Sequence, residues 1–365
     1  MRILVLNAGS SSLKTSVVIE PGDRTEGART QALPAGQHWA DALRAVVADA
    51  GQLDAVGHRV VHGGPNHQGS VVISDDVMAE LEQLRELAPL HNGPALDAMA
   101  AARRMLPAVR HVAAFDTAFH ATLPEEGITY PLPFEWRSGF GVRRYGFHGL
   151  SVTWASERAA ELLGRPLEDL RLVVAHLGSG CSVTAVDGGR SMDTSMGMTP
   201  LEGLMMATRS GSVDPGILLE LLARGEVSAD ELANTLQHAS GLLGVSGLSG
   251  DLREVQAAAA GGDERAQLAL AMFARRAAAG IAAAASALTA LDGLVFTGGI
   301  GEHAALVRAA ICARLATVGV PAVPGEPDDG DDRVLSERGS SVAVLRVSAR
   351  EDLVIAREAA RLVGG

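Results

Sequence analysis

The sequence predicts an α/β fold in which one glycine-rich hairpin occurs twice. Residues 4–13 and residues 173–183 share a pattern: an apolar run, one polar residue, a turn of small residues, and a second strand-like run. Small residues in such a turn let backbone N–H groups approach an anion closely, and concavities of this kind bind phosphate. Predicted strands also alternate with predicted helices in both halves of the chain, which is typical of α/β proteins. The two turns together predict a duplicated domain that holds a polyphosphate from both sides.

The composition fits a protein of two domains. The 365 residues are enough for two cores. The formal net charge is −12 and Lys14 is the only lysine, so a basic surface for nucleic acid is not expected. Cys181 and Cys312 are the only cysteines, which predicts a reducing, cytoplasmic location. The least polar run, residues 277–291, is too short and too rich in alanine for a membrane span, so a buried helix is expected there.

In the first half of the chain, turn residues separate the predicted elements. Residues 3–19 predict a β-hairpin, and the proline- and glycine-rich residues 20–36 predict a loop. Residues 89–94 contain two prolines and a glycine, which predicts a break around His91. The other expected elements are helices at 40–50, at 75–88 and up to 106, and strands at 55–62 and 111–115.

In the second half, residues 121–148 carry many turn signals, which predicts the crossover between the domains there. Residues 190–216 predict a long loop, and its length favours a functional role. The glycine-rich turn 298–301 would be either a third nucleotide contact or only a tight turn. The other expected elements are helices at 151–163, 216–224, 229–238, 263–291 and 352–362, and strands at 294–297 and 342–347.

Two carboxylates are candidates for a metal site. Asp116 follows a predicted strand, where it would either hold Mg²⁺ on phosphate oxygens or cap the next helix. Glu351 ends the run Ser348-Ala349-Arg350-Glu351, which matches a helix capping box, and the alternative is a carboxylate beside a metal. The local pattern favours the cap for Glu351 and leaves Asp116 open.

Three cationic or titratable side chains could act on an anionic substrate. Arg59 lies on a predicted strand and Arg209 in the long loop, and a guanidinium can grip a carboxylate or a phosphoryl group in two places. The alternative for each is a structural ion pair. His148 lies between glycines, where it could donate to developing charge or bond only to the backbone. The same two alternatives, donation to developing charge or a bond to the backbone, apply to His91 and His176.

Nine segments of the chain resemble the acetokinase family of the actin/hexokinase/Hsp70 ATPase superfamily. They are residues 6–14, 57–64, 87–92, 115–120, 145–149, 176–178, 198–204, 208–211 and 298–302. The resemblance implies two ribonuclease-H-like, actin-like ATPase domains with an active-site cleft between them. The implied domains are residues 1–120 plus 353–365, and residues 121–352, the second of which would bind the nucleotide and form a dimer interface.

The resemblance also implies the reaction and the residues that carry it. ATP would give its γ-phosphoryl group reversibly to acetate, forming acetyl phosphate and ADP by direct in-line transfer with Mg²⁺, or with Mn²⁺ in its place. Arg59 and Arg209 would hold the carboxylate and the migrating phosphoryl group, and His148 would stabilise the transition state. Asp116 would act on the metal or on the attacking carboxylate. A cytoplasmic homodimer is implied, with no membrane or nucleic-acid partner.

Further site residues follow from the same resemblance. The metal would be ordered by Asn7 and Glu351. The substrate would contact Arg59, Val61, Leu90, His91, Phe147 and Pro200. The nucleotide would contact Lys14, His176, Leu177, Gly178, Ser179, Gly180, Asp251, Leu252, Arg253, Gly298, Gly299, Ile300, Gly301 and Glu302. The chain departs from the family at Ser179, Cys181 and His303, and at residues 150–152, which bears on nucleotide preference.

Other functions stay open at this point. A propionate kinase or other short-chain acyl kinase is an alternative, because one methylene changes pocket selectivity by only about 1–3 kcal/mol. A sugar kinase of the same superfamily would need a carboxylate base and a polar sugar site, whereas the implied pocket is apolar. A chaperone-like module gated by ATP would bind the nucleotide without forming an acyl phosphate.

Overall fold

The computed structural model describes residues 1–9, 12–32, 39–85, 89–326 and 330–364, with the side chains of residues 89–91 left out. The strands are β1 Arg2–Ala8, β2 Ser12–Ile19, β3 Arg24–Ala32, β4 Ala55–Val60, β5 Val71–Val72, β6 Arg110–Phe115, β7 Arg171–Leu177, β8 Cys181–Asp187, β9 Arg190–Thr194, β10 Gly293–Thr297, β11 Arg333–Val334 and β12 Ala343–Arg346. The helices are α1 Trp39–Ala50, α2 Asp75–Gln83, α3 Pro89–Met105, α4 Glu125–Ile128, α5 Phe134–Phe140, α6 Gly149–Leu163, α7 Pro215–Ala223, α8 Ala229–His238, α9 Gly241–Ser246, α10 Leu252–Ala260, α11 Glu264–Ala285, α12 Gly298–His303, α13 Ala305–Cys312 and α14 Glu351–Gly364.

The strands form two six-stranded sheets with one shared topology. The first sheet has the order β3-β2-β1-β4-β6-β5 and the second the order β11-β12-β10-β7-β8-β9. In each sheet a hairpin strand (β1 or β7) pairs antiparallel with the next strand and parallel with a later one. Each sheet then extends by one antiparallel strand on one side and by one parallel strand on the other. A two-residue antiparallel strand, β5 or β11, completes the six strands beyond that parallel strand. This repetition confirms the predicted α/β class and the predicted duplication.

The described chain divides into two compact units. The first unit contains residues 1–121, 147–154 and 350–365, and the second contains residues 122–146 and 155–349. Each sheet therefore lies in its own unit, and residues 147–154 belong with the first sheet.

The core of the first unit covers both faces of its sheet. Alternate residues of β1 point to opposite sides, as the strand period of two requires: Leu4 and Leu6 pack towards α1 and α3, and Ile3 and Val5 pack towards α14. Gly57 lets α14 approach closely, because a Cβ there would lie 2.5 Å from the side chain of Ile355. The packing sets the first residues of α14 beside the ends of β1 and β4.

In the second unit, the alanine-rich helix α11 supplies much of the core. It packs against β7 and β8 and buries one face that includes Phe273 and Ile281. Gly280 provides the close approach, because a Cβ there would lie 2.5 Å from the side chain of Leu204. Among the described residues, α11 is the one helix long and apolar enough to cross a bilayer by length and composition, a test that buried core helices also pass.

Three local predictions are wrong in whole or in part. The predicted loop 20–36 contains β3, an exposed edge strand whose polar residues pair with β2 through the backbone, so no apolar alternation marks it. The predicted break around His91 is also absent, since α3 runs through Pro94. Burial of Leu96 and Met99 against the sheet outweighs the lost backbone hydrogen bond of the proline. The predicted loop 190–216 likewise begins with a short strand, β9.

Candidate active site

Four polar side chains meet where β1, β4 and β6 of the first unit end. Arg59 Nε donates to Asp116 Oδ1 over 3.0 Å, and Arg59 Nη2 donates to Asp116 Oδ2 over 2.5 Å. Arg59 Nη1 donates to Asn7 Oδ1 over 3.2 Å. Asn7 Nδ2 donates to Glu351 Oε2 over 3.2 Å, and that oxygen lies 3.5 Å from Arg59 Nε. Parallel pairing brings Asn7, Arg59 and Asp116 together, since Leu6 of β1 faces His58 of β4 and Val60 of β4 faces Phe115 of β6. Glu351 is the first residue of α14.

The Arg59–Asp116 pair is buried and electrostatically strained. The Asp116 side chain is 1% exposed and that of Arg59 is 18% exposed. Burial raises the pKa of Asp116, against the opposing effects of Arg59 and of a hydrogen bond from the His148 backbone. Burial lowers the pKa of Arg59, but the Asp116 and Glu351 carboxylates outweigh it, so the pKa is raised overall. Two carboxylates thus share one guanidinium, which leaves the cluster with a surplus of negative charge.

The Glu351 carboxylate faces Asn7 and Arg59. The backbone N–H of Ser348, which a capping box would direct to Glu351, donates to Asp332 Oδ1 over 2.7 Å. The capping-box interpretation of residues 348–351 is therefore wrong. Asp116 is likewise engaged with Arg59.

Oxygen donors suited to a hard cation are present in this cluster. Mg²⁺ binds through one or two carboxylates, keeps several waters, and takes its other ligands from substrate phosphates. The described residues contain no group of three or more His, Cys, Asp or Glu side chains arranged to hold a metal. Asn7 Oδ1 and the carboxylates of Asp116 and Glu351 fit a cation that is carried mainly by a nucleotide.

His148 occupies a strained turn beside Asp116. Its φ is +59°, an uncommon value for a residue other than glycine. The N–H of Gly149 donates to the Asp116 carbonyl over 2.9 Å, and a Cβ on Gly149 would lie only 2.2 Å from that oxygen. The turn therefore needs glycine at position 149, and it holds the half-buried His148 next to the carboxylate cluster.

Two of the predicted apolar substrate residues are buried in the first unit. Val61 and Phe147 are buried, and the ring of His62, the residue after Val61, packs edge-on against Phe147 with centroids 5.5 Å apart. Pro200 lies in the second unit and is half-buried. Leu90 and His91 lie in the first turn of α3, and their side chains fall outside the described residues. Lys14 is exposed on β2, directly opposite Asn7 in the antiparallel register.

In the second unit, two predicted nucleotide turns lie side by side. Thr297 at the end of β10 pairs with His176 at the end of β7. Gly298 has φ +77°, and a Cβ there would lie 2.8 Å from the Leu177 carbonyl. The N–H of Gly178 donates to the Gly180 carbonyl over 3.0 Å and closes the turn. The structure therefore brings residues 176–180 and 298–302 together, and Ser179 and Gly299 are exposed on their turns.

Residues 251–253 lie at the start of α10. The Asp251 carboxylate accepts the backbone N–H and the side chain of Arg253, and these bonds lower its pKa to about 2. A Cβ on the preceding Gly250 would lie 3.1 Å from the Ala207 carbonyl, so this helix start adjoins the loop that carries Arg209. The N–H of Ala207 in turn donates to the Ser179 carbonyl over 3.3 Å.

Arg209 lies in that loop and is half-buried. Its Nη1 donates to the Pro200 carbonyl over 2.6 Å. Burial lowers its pKa, and within the described residues no acidic side chain lies within 4 Å of the guanidinium. A desolvated guanidinium without an acidic partner is an electrostatic site for a bound anion.

One polar network near this loop was missed from the sequence. Tyr130 and Arg144 both bind the carboxylate of Glu202. The three residues are separated by up to 72 positions, so no local spacing could have predicted that they meet. The only sequence signal was the run 198–204, in which Glu202 lies.

Comparisons with known proteins agree on one family. Residues 23–357 match the family model described as the acetokinase family. An acetate kinase of Synechococcus sp. (strain JA-2-3B'a(2-13)) is 44% identical over 407 aligned positions, which cover 100% of both chains. Among solved structures, the acetate kinase of Porphyromonas gingivalis has a TM-score of 0.90 at 36% identity, and a propionate kinase of Francisella tularensis has 0.91 at 36% identity. Each structural match covers 99% of both chains.

Proposed function

The chain belongs to the acetokinase family and is a phosphotransferase of the acetate kinase class, and we propose that it transfers the γ-phosphoryl group of ATP directly to the carboxylate of acetate. The observation that carries this proposal is the half-buried Arg209 guanidinium, which has no acidic partner among the described residues. Such a group favours an anion that arrives with the substrates. ADP and acetyl phosphate would be the products, and the reaction would run in either direction.

The proposed chemistry needs positioning and charge neutralisation more than proton transfer. Acetate is already ionised at neutral pH, so no strong base has to activate it. The work is to bring two anions together and to stabilise the charge that spreads over the phosphoryl oxygens. Arg59 and Arg209 would hold the acetate carboxylate and the migrating phosphoryl group. His148, fixed next to Asp116, would donate to the same developing charge.

Asn7 and Glu351 would hold the divalent cation that accompanies ATP. When bound, Mg²⁺ neutralises phosphate charge and orients the phosphoryl group. Chelation of the metal is expected to abolish activity, and Mg²⁺ or Mn²⁺ is expected to restore it. Glu351→Gln and Asn7→Ala should raise the Mg²⁺ concentration for half-maximal rate by about tenfold, as loss of metal-site partners commonly does.

A matched control lies on the same helix. Glu358 pairs with Arg361 at the surface of α14, and the Glu358→Gln variant should titrate with Mg²⁺ like the parent. An unchanged Mg²⁺ requirement in both Glu351→Gln and Asn7→Ala would argue against this metal site.

Val61 and Phe147 supply the apolar surface proposed to meet the methyl group of acetate. One extra methylene on the substrate is worth only about 1–3 kcal/mol of discrimination, so the preferred acid has to be measured. Acyl phosphates formed from acetate, propionate and butyrate can be trapped with hydroxylamine and their rates compared. The proposal expects acetate to give the largest kcat/KM. A larger kcat/KM for propionate would favour the propionate kinase alternative, which the similarity to the Francisella tularensis propionate kinase supports. Formation of no acyl phosphate from any of the three acids would reject both functions.

A homodimer is proposed from an exposed apolar face on the second unit. Leu219 and Leu222 of α7, three residues apart and therefore on one face of the helix, are 67% and 37% exposed, and α7 has no buried residue. Apolar side chains concentrated on one exposed helix commonly mark a protein interface. Light scattering should give twice the chain mass of 37.7 kDa, and Leu219→Glu should shift the mass towards the monomer. A monomeric parent chain at micromolar concentration would contradict this proposal.

A further inference from the structure

A three-residue network in the second unit fastens one end of the loop formed by residues 195–203. The Glu202 carboxylate accepts the Tyr130 hydroxyl at one oxygen and Arg144 Nη2, over 2.9 Å, at the other. Burial, and then the bond to Glu202, raises the pKa of Tyr130, so the hydroxyl is protonated at neutral pH and donates. The Arg144 guanidinium also lies 5.2 Å from the centre of the Tyr130 ring, which adds a cation–π contact.

The same network also binds the backbone at the start of the loop. Arg144 Nη1 donates to the Met196 carbonyl over 2.9 Å and to the Ser195 carbonyl over 3.3 Å. The Tyr130 hydroxyl accepts the N–H of Met198 over 3.0 Å. Both ends of the loop are therefore tied to the same two side chains.

The carbonyl that holds Arg209 lies between these two fastened ends. Pro200 follows Met198 by two residues and precedes Glu202 by two, and its oxygen accepts Arg209 Nη1 over 2.6 Å. A shift of the loop would move this oxygen and the guanidinium bound to it. Displacement of a positioning group by about 1 Å can cost up to about 10²-fold in rate.

The network leaves no spare room at Gly197. A Cβ on this residue would lie 1.9 Å from Glu202 Oε2 and 2.0 Å from the Tyr130 hydroxyl. A methyl group there would push apart the two atoms that bond to each other. Gly197→Ala therefore disrupts the network by steric overlap without removing any of its polar groups.

We infer that Tyr130, Arg144 and Glu202 are positioning residues for phosphoryl transfer, and that they act by fixing the Pro200 carbonyl that orients the Arg209 guanidinium. The inference rests on the proposed role of Arg209. The charged and polar atoms of the network bond to one another and to the loop, so their role is to hold the loop in position. Their effect on the rate should consequently disappear when Arg209 is no longer present.

A double-variant cycle tests this directly. Glu202→Gln and Tyr130→Phe are each made in the parent chain and in Arg209→Ala, and the initial rate of acyl phosphate formation is measured with hydroxylamine. In the parent chain, Glu202→Gln should lower kcat by about 10-fold and Tyr130→Phe by about 3-fold, with the KM for ATP changed less than about 2-fold. In the Arg209→Ala background, each substitution should change the rate by less than about 2-fold.

The control and the outcomes separate positioning from folding. Glu125→Gln removes another carboxylate that pairs with an arginine, Arg137, in residues 122–146, and it should leave kcat unchanged. If Glu202→Gln unfolds, the same comparison of rates is made with Gly197→Ala and Tyr130→Phe, which both keep the Glu202 carboxylate. Equal fold losses in both backgrounds, or no loss in the parent chain, would overturn the inference alone. A near-normal rate of Arg209→Ala itself would instead overturn the proposed function and the inference with it.

Discussion

Replacing Arg209 by alanine is expected to lower kcat by about 10³-fold, because a guanidinium that stabilises the migrating phosphoryl group contributes on that scale. The stability of the folded chain should change little. Arg209 makes one hydrogen bond to a backbone carbonyl and has no acidic side chain within 4 Å among the described residues. Urea unfolding should therefore give a free energy within about 1 kcal/mol of the parent value, since no ion pair is lost.

Arg314 offers a matched control for this substitution. It also donates to one backbone carbonyl, that of Ala310 over 2.7 Å, and it is exposed on the second unit. Arg314→Ala should keep the parent kcat. A rate for Arg209→Ala within tenfold of the parent would contradict the assigned role, whatever the control shows.

Replacing Arg59 by alanine is expected to lower both activity and stability. The activity loss should again reach about 10³-fold. The stability loss has a separate cause, because Asp116 is 1% exposed and would be left without its guanidinium. Breaking a buried pair in this way costs about 3–5 kcal/mol. The measurements are kcat and the free energy of unfolding in urea.

A second substitution separates these two effects. In Arg59→Ala combined with Asp116→Asn, the buried carboxylate becomes a neutral amide, so most of the lost stability should return while activity stays low. Activity that recovers together with stability would show that Arg59 serves the fold alone.

The stability of Arg59→Ala should also depend on pH. Burial raises the pKa of Asp116, and loss of Arg59 removes the main opposing effect. The folded chain then binds this proton more tightly than the unfolded chain, so unfolding releases it and the folded state gains stability as the pH falls. The deficit relative to the parent should be largest near pH 7 and should shrink towards about pH 4, the ordinary carboxyl pKa. A deficit that grows on acidification would contradict the buried-charge explanation.

The repeated hairpin was the part of the fold best predicted from sequence. A continuous apolar run that ends in Asn7 or His176, followed by small residues, specifies a buried strand and a tight turn without help from the rest of the chain. Strand β3 carries no such pattern because its side chains face solvent on both sides. Its position depends on backbone pairing with β2, which no single segment encodes.

The site residues also fall into those that a local sequence pattern predicts and those that only long-range packing places. Arg59 and Asp116 could be placed at strand ends from local pattern, and parallel pairing then makes them neighbours. Glu351 could not be placed locally, because the same four residues match a capping box and only the packing of α14 against β4 turns the carboxylate towards Arg59. The bond between Tyr130 and Glu202 spans 72 residues. A contact between two such distant segments produces no spacing pattern in the sequence, so it could not be predicted.

The fate of the acetate oxygens tests the central claim most directly. The chain is incubated with ATP, acetate labelled with ¹⁸O in both oxygens, and hydroxylamine, which attacks the acyl carbon and releases the phosphate with its bridging oxygen. The account predicts ADP together with inorganic phosphate that carries one ¹⁸O atom, above a background of unlabelled phosphate measured without acetate. Labelled AMP, or ADP with unlabelled phosphate only, would contradict direct transfer of the phosphoryl group to acetate.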